Sequence, residues 1–245
     1  MRLEDLEKEI PELKEYTKFM PSDIRQSAFI KVYPPGKLIH QKDCELHFFG
    51  ILVKGENRVI NEFENGKIYM IETNKAIDFI GEVTLLAGFS HTSVTIEAVT
   101  ECIVVYISRA AAEEWINKDN NILRLMAKKT AFKLYRSSYN NGLKLYYPPS
   151  FLLADYLVRA YEISENDKKP KSYVRPAINK SDNEIFVLQK IRERLCEELG
   201  MNIKTLDRAI RAMHKDGYFS LKKGKISFGH EQYLKMKEYI SASKG

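Results

Sequence analysis

The chain has 245 residues and a mass of 28.4 kDa, with 44% hydrophobic and 29% charged residues, enough to fill one large core or two modest ones. No apolar run approaches the roughly 18–20 residues that cross a bilayer, and the opening MRLEDLEKEI is acidic without a signal-peptide core, so a soluble cytoplasmic protein with no membrane partner is expected. The net charge of +6 is mild but unevenly placed: from Phe186 to Phe228 ten Lys and Arg stand against five Asp and Glu, where a polyanion would feel the excess.

Cys44, Cys102 and Cys196 are odd in number, far apart and mostly within apolar stretches, which suits buried thiols in a reducing compartment. No CxxC occurs, which argues against a zinc ribbon.

From about residue 24 to 107, turn residues break the chain into short β-like runs. "AFIKVYPPGKLI" turns at Pro34 to Gly36, and "HFFGILVKGENRVINEFENGKIYMIE" alternates around Gly55 and around Asn65-Gly66, a strong hairpin signal. "TIEAVTECIVVYIS" supplies two β-branched runs about a break at Thr100-Glu101. Such spacing predicts an antiparallel roll or barrel.

After Ser108 the pattern becomes helical. "SRAAAEEWINKD" reads as a short helix capped by Ser108. A long helix follows from about Asn120 to Leu143, with Ile122, Leu125, Lys129, Phe132, Arg136, Tyr139 and Leu143 on one stripe and Met126, Leu134 and Tyr135 widening it. Two partners fit that breadth: the β domain of the same chain, or a second copy of the helix. Tyr146-Tyr147-Pro148-Pro149 ends this helix and reads as a hinge, Ser150 is a candidate cap for the next, and Ser164 to Glu184 is polar and mostly loop.

In the basic segment, Ile191, Leu195 and Leu199 lie at i, i+4 and i+8 before Gly200, and a second helix begins a few residues later. At 100° per residue, Lys204, Arg208, Arg211 and Lys215 fall within about 60° of one another, opposite Leu206, Ile210 and Met213. A basic face alone also describes a solvated surface helix. Here it follows a first helix at helix-turn-helix spacing and precedes "YFSLKKGKISF", a hairpin with Lys222, Lys223 and Lys225 at its tip. These lysines and Lys215 suit phosphates, which position a protein on DNA without reading sequence.

The segment "LCEELGMNIKTLDRAIRAMHKDGYFSLKKGKISF" resembles the winged helix-turn-helix of the Crp/Fnr family of bacterial transcription regulators. "YPPGKLI", "FFGILVKGENRV", "NGKIYMIE" and "FIGEVTLLAGFSHTSVTIEAVTECIVVYIS" resemble that family's cyclic-nucleotide-binding β-roll, so the match spans about residues 25 to 230. The resemblance implies an α+β protein: an effector-sensing β-roll with an N-terminal helical segment (1–108), a short helix and a long dimerisation helix (109–147), and a winged helix-turn-helix (148–245). It favours the dimer reading of the long helix, and implies double-stranded DNA as partner, with RNA polymerase as a further partner of an activator. It puts Ile203, Lys204 and Arg208 where the family reads bases and Thr205 at the backbone. Arg208, whose fork matches guanine O6 and N7, is the best candidate for direct readout. Where the family often has Arg then Glu, this chain has Ile203 then Lys204, so its half-site sequence should differ.

Members that bind cyclic AMP hold the ribose with Gly-Glu and the phosphate with Arg-Ser or Arg-Thr. Gly81-Glu82 keeps the first pair, but His91-Thr92, followed by Ser93, stands at the second. A histidine is mostly neutral at pH 7 and offers one donor where Arg offers a charged fork, so the phosphate clamp is expected to be weak or absent and cyclic AMP a doubtful effector. Gly81 and Glu82 are equally readable as a turn and a buried hydrogen bond that the roll itself needs. No cofactor is indicated: residues 1–43 hold no cysteine and three cysteines are too few for a four-cysteine cluster. The alternative is a small-molecule sensor or cupin-like enzyme on the β-roll with a C-terminal part for protein contacts. A cupin metal site wants His-x-His, which the chain lacks, so no enzyme is expected.

Overall fold

A computed structural model describes residues 2–167 and 185–244. The chain divides into two compact units, Met1–Tyr139 and Asn140–Gly245. The boundary falls inside the long helix.

The first unit opens with three short helices, α1 (Leu3–Glu9), α2 (Leu13–Thr17) and α3 (Ser22–Ser27). Eight strands follow: β1 (Phe29–Tyr33), β2 (Leu38–His40), β3 (Phe48–Lys54), β4 (Glu56–Glu62), β5 (Ile68–Lys75), β6 (Asp78–Ile80), β7 (Thr95–Ala98) and β8 (Cys102–Ser108). A short helix, α4 (Glu82–Leu86), lies between β6 and β7. The strands form two antiparallel sheets, ordered β1-β8-β3-β6 and β2-β7-β4-β5. Alternation along β3 and β8 sends Leu52, Val104 and Tyr106 between the sheets and Phe49, Ile51, Val105 and Ile107 to the other face. That second face packs on the N-terminal helices and on Trp115 of α5 (Arg109–Lys118). The Ser108 hydroxyl caps α5 by accepting from the Ala111 N–H at 3.2 Å, as its sequence predicts.

The long helix, α6, runs Asn120–Tyr146, and α7 runs Pro149–Asp167. Ser150 is not its cap: Pro149 already takes the first helical position, where the missing N–H costs no hydrogen bond. The helix also continues past Ser164, into the stretch expected as loop, and residues 168–184 of that stretch lie outside the described residues.

The second unit continues with β9 (Phe186–Val187), α8 (Arg192–Leu199), α9 (Ile203–Lys215), β10 (Ser220–Lys222), β11 (Lys225–Phe228) and α10 (His230–Ser243). β10, β11 and β9 form a small antiparallel sheet. Leu195 and Leu199 of α8, Leu206, Ile210 and Met213 of α9, Phe219 and Phe228 share one core with α7. Ile191 does not join them; it precedes α8 in extended backbone and is exposed. Cys44 is exposed and Cys196 half-buried, so only Cys102 has the buried thiol expected of all three. Cys44 lies in the loop between β2 and β3, where the apolar residues around it in sequence do not enclose it.

Candidate functional site

In the second unit, α8 closes at Gly200 and α9 starts three residues later. The Asn202 side chain accepts from the Thr205 N–H at 2.9 Å, fixing where α9 begins. Leu206, Ala209, Ile210 and Met213 are then turned into the core, which leaves Lys204, Arg208, Arg211 and Lys215 exposed along the opposite side. None of these four cations has an ion-pair partner among the described residues, whereas nearby Arg192 is drawn to Asp207 at 3.5 Å. Ile203 is exposed on the first turn and Thr205 half-buried.

The hairpin β10–β11 pairs Lys222 with Lys225 across a two-residue turn, Lys223-Gly224, with φ of 49° and 76°. Positive φ at both central positions is the mirror-image turn whose twist matches two antiparallel strands, and glycine takes the second position without strain. The turn leaves Lys222, Lys223 and Lys225 exposed, and Lys225 Nζ donates to Gln189 Oε1.

In the first unit, a cavity of about 70 Å³ lies in the roll. His40 of β2, Val59 of β4, Glu72 and Asn74 of β5, Phe79 and Ile80 of β6, the Gly81–Thr84 turn and Thr92 all line it. Gly81 has φ of 88°, the left-handed backbone that lets β6 turn into α4. Glu82 lines the cavity and is buried. Of the residues after it that were expected to meet a ligand, only Thr92 lines the cavity, and its hydroxyl donates to the Gln41 carbonyl at 3.1 Å. His91 and Ser93 are exposed and outside the lining, and His91 Nδ1 is 2.9 Å from the Ser90 hydroxyl.

A residue that sequence reasoning passed over completes this cavity. Lys133 of α6 donates from Nζ to Glu82 Oε1 at 2.7 Å and lies 3.1 Å from Asp78 Oδ2, its side chain only 12% exposed. Burial pushes the Glu82 carboxyl up from its ordinary value, against the pull of Lys133. Burial also works to lower the Lys133 ammonium, but Glu82 and Asp78 outweigh it and the ammonium is held up. The two directions agree, because one ammonium faces two buried carboxylates. Beside it, Arg136 pairs with Glu72 and Lys129 donates to the Ile77 carbonyl at 2.6 Å. The inward row of α6 is therefore Ile122, Met126, Lys129, Lys133 and Arg136, while Phe132, expected on the stripe, is exposed with Leu134 and Tyr135. Lys129 and Arg136 already stand on the stripe read from the sequence; Lys133, at i+4 between them in an i, i+4, i+7 row, escapes it because it is not apolar.

Residues 30–119 match the family model of the cyclic nucleotide-binding domain. The c-di-GMP-responsive global regulator CLP of Xanthomonas campestris is similar over 82% of this chain and 93% of its own, at 14% identity and a TM-score of 0.65. A transcriptional regulator of the Crp/Fnr family from Eubacterium rectale gives 14% identity, 89% and 92% coverage and a TM-score of 0.68. The chain has the Crp/Fnr fold. A variant of CooA from Carboxydothermus hydrogenoformans agrees, with 16% identity, 93% and 94% coverage and a TM-score of 0.66. No curated protein matches the sequence. The Crp/Fnr fold accounts for the order of parts seen here: β-roll, long helix, then helix-turn-helix with a wing. Among the described residues no helix is long and apolar enough to cross a membrane, and no three His, Cys, Asp or Glu side chains gather as metal ligands would.

Proposed function

We propose that the chain is a DNA-binding transcription regulator acting in the cytoplasm as a homodimer on a near-palindromic operator, with its β-roll cavity as the effector site. The observation that carries this reading is the unpaired cationic row of α9, Lys204, Arg208, Arg211 and Lys215, held outward by a fully buried apolar row. Arg208 reads base edges, with Ile203 and Lys204 beside it on the first turns, and Thr205 meets the backbone. Lys215 and the hairpin lysines 222, 223 and 225 meet phosphates. Exposed Phe132, Leu134 and Tyr135 on α6 support pairing of two copies. If the protein activates, RNA polymerase is its second macromolecular partner.

Selection of bound fragments from genomic DNA followed by footprinting tests the reading. Two protected half-sites about one helical turn apart are expected, roughly 34 Å centre to centre. Arg208→Ala should weaken binding to the selected site by about 1–3 kcal/mol and relax preference at one base pair per half-site. A variant that binds the selected site as tightly as the parent protein, or a footprint without twofold character, counts against it.

A further inference from the structure

The cavity of the roll carries a statement about ligand charge that its likeness to nucleotide-binding domains does not. Among the described residues its one lining cation is Lys133, already shared between Asp78 and Glu82. The next cation along α6, Arg136, is paired with Glu72. An incoming phosphate or carboxylate would thus meet two lining carboxylates, Glu72 and Glu82, and no uncompensated positive charge. The remaining wall is largely apolar: Leu46, Val59, Phe79, Ile80, Val94 and Ile96. At about 70 Å³ the cavity has room for a small molecule.

His40 also lines the cavity, and its Nε2 is buried without a hydrogen-bond partner among the described residues. Burial lowers the His40 ring below its ordinary value, which works against a positive charge there.

We infer that the roll cavity takes a small uncharged molecule, apolar in body, and excludes anions, cyclic nucleotides included, because Asp78 and Glu82 hold Lys133. This rests on reading the roll cavity as the effector site. Lys133 stands as a built-in countercharge for Glu82, so a ligand that brings no net charge leaves the cluster intact, whereas an anion must break it.

Methyl-labelled full-length protein tests this directly, by a readout that does not involve DNA. Cyclopentanol, an uncharged ring with one hydroxyl, should shift the methyl signals of Val59, Val94 and Ile96 saturably, and cyclic AMP should leave them unmoved. The double variant D78N/E82Q frees the ammonium and should raise affinity for cyclic AMP or inorganic phosphate by about tenfold or more. Adding Lys133→Met should remove that gain, with circular dichroism confirming that each variant is folded. Saturable shifts with cyclic AMP in the unaltered protein overturn the inference, as does a lack of response to cyclopentanol or a folded double variant that gains no anion affinity. Loss of operator binding by the unaltered protein would instead count against the regulator reading and would not move these signals.

Discussion

Lys133 shows how much one side chain can hold in place. Its ammonium is nearly withdrawn from water between Asp78 and Glu82, whose side chains are 6% and 5% exposed. Replacing it by methionine keeps the stem's packing and strands two carboxylates, which should cost about 3–5 kcal/mol at neutral pH. The pH dependence has a definite sign. A carboxyl whose folded pKa is raised, as burial raises Glu82, contributes stability that is fully present below its unfolded pKa and lost as pH rises through the folded pKa. The Lys133→Met variant should therefore recover part of its deficit between pH 7 and pH 5. Urea midpoints of the two proteins at both pH values measure it, and a constant gap would show that the carboxylates do not control the loss.

At the scale of the element, α9 separates what stabilises from what binds. Its cap and its apolar row do the first: Asn202→Ala should cost about 1 kcal/mol, and Leu206→Ala, at a fully buried position, about 2–5 kcal/mol by urea unfolding. Its cationic row is the part proposed to do the second. Arg211→Ala, exposed and unpaired, should change stability by less than about 0.5 kcal/mol while lowering DNA affinity. Equal loss of stability in Arg211→Ala and Leu206→Ala would mean that the two faces are not distinct. This helix was readable from sequence because its periodicity is local. α6 was readable only in part: Lys129 and Arg136 fell on the expected stripe, but Phe132 looks inward by hydrophobicity and stays out, while Lys133 turns to the roll because carboxylates wait for it there. A buried charge with partners outranks an apolar ring that can stay in water.

For the molecule as a whole, the excess charge of residues 186–228 predicts how binding responds to salt. Each phosphate neutralised releases counterions, so log affinity should fall with log salt by about 0.9 per phosphate, summed over both copies of the proposed dimer. Removing Lys222 and Lys223 together should flatten that slope by about 1 for each phosphate left without its lysine, with little change in which sequence is preferred. Fluorescence anisotropy across a potassium chloride series reads both. A slope unaffected by these substitutions would remove the hairpin from the interface.

The strands, the turns, the capped start of α5 and the two-faced character of α9 are legible in the order of amino acids, because each depends on residues a few positions apart. Gly81-Glu82 likewise stands out as a pair worth following. Folding in three dimensions settles what that order does not: His91 and Ser93 stand outside the cavity, Cys44 is exposed, and Glu82 is answered by a lysine 51 residues away. Burial and charge pairing depend on which distant segments meet. No local pattern encodes the partner of a side chain whose partner lies on another element.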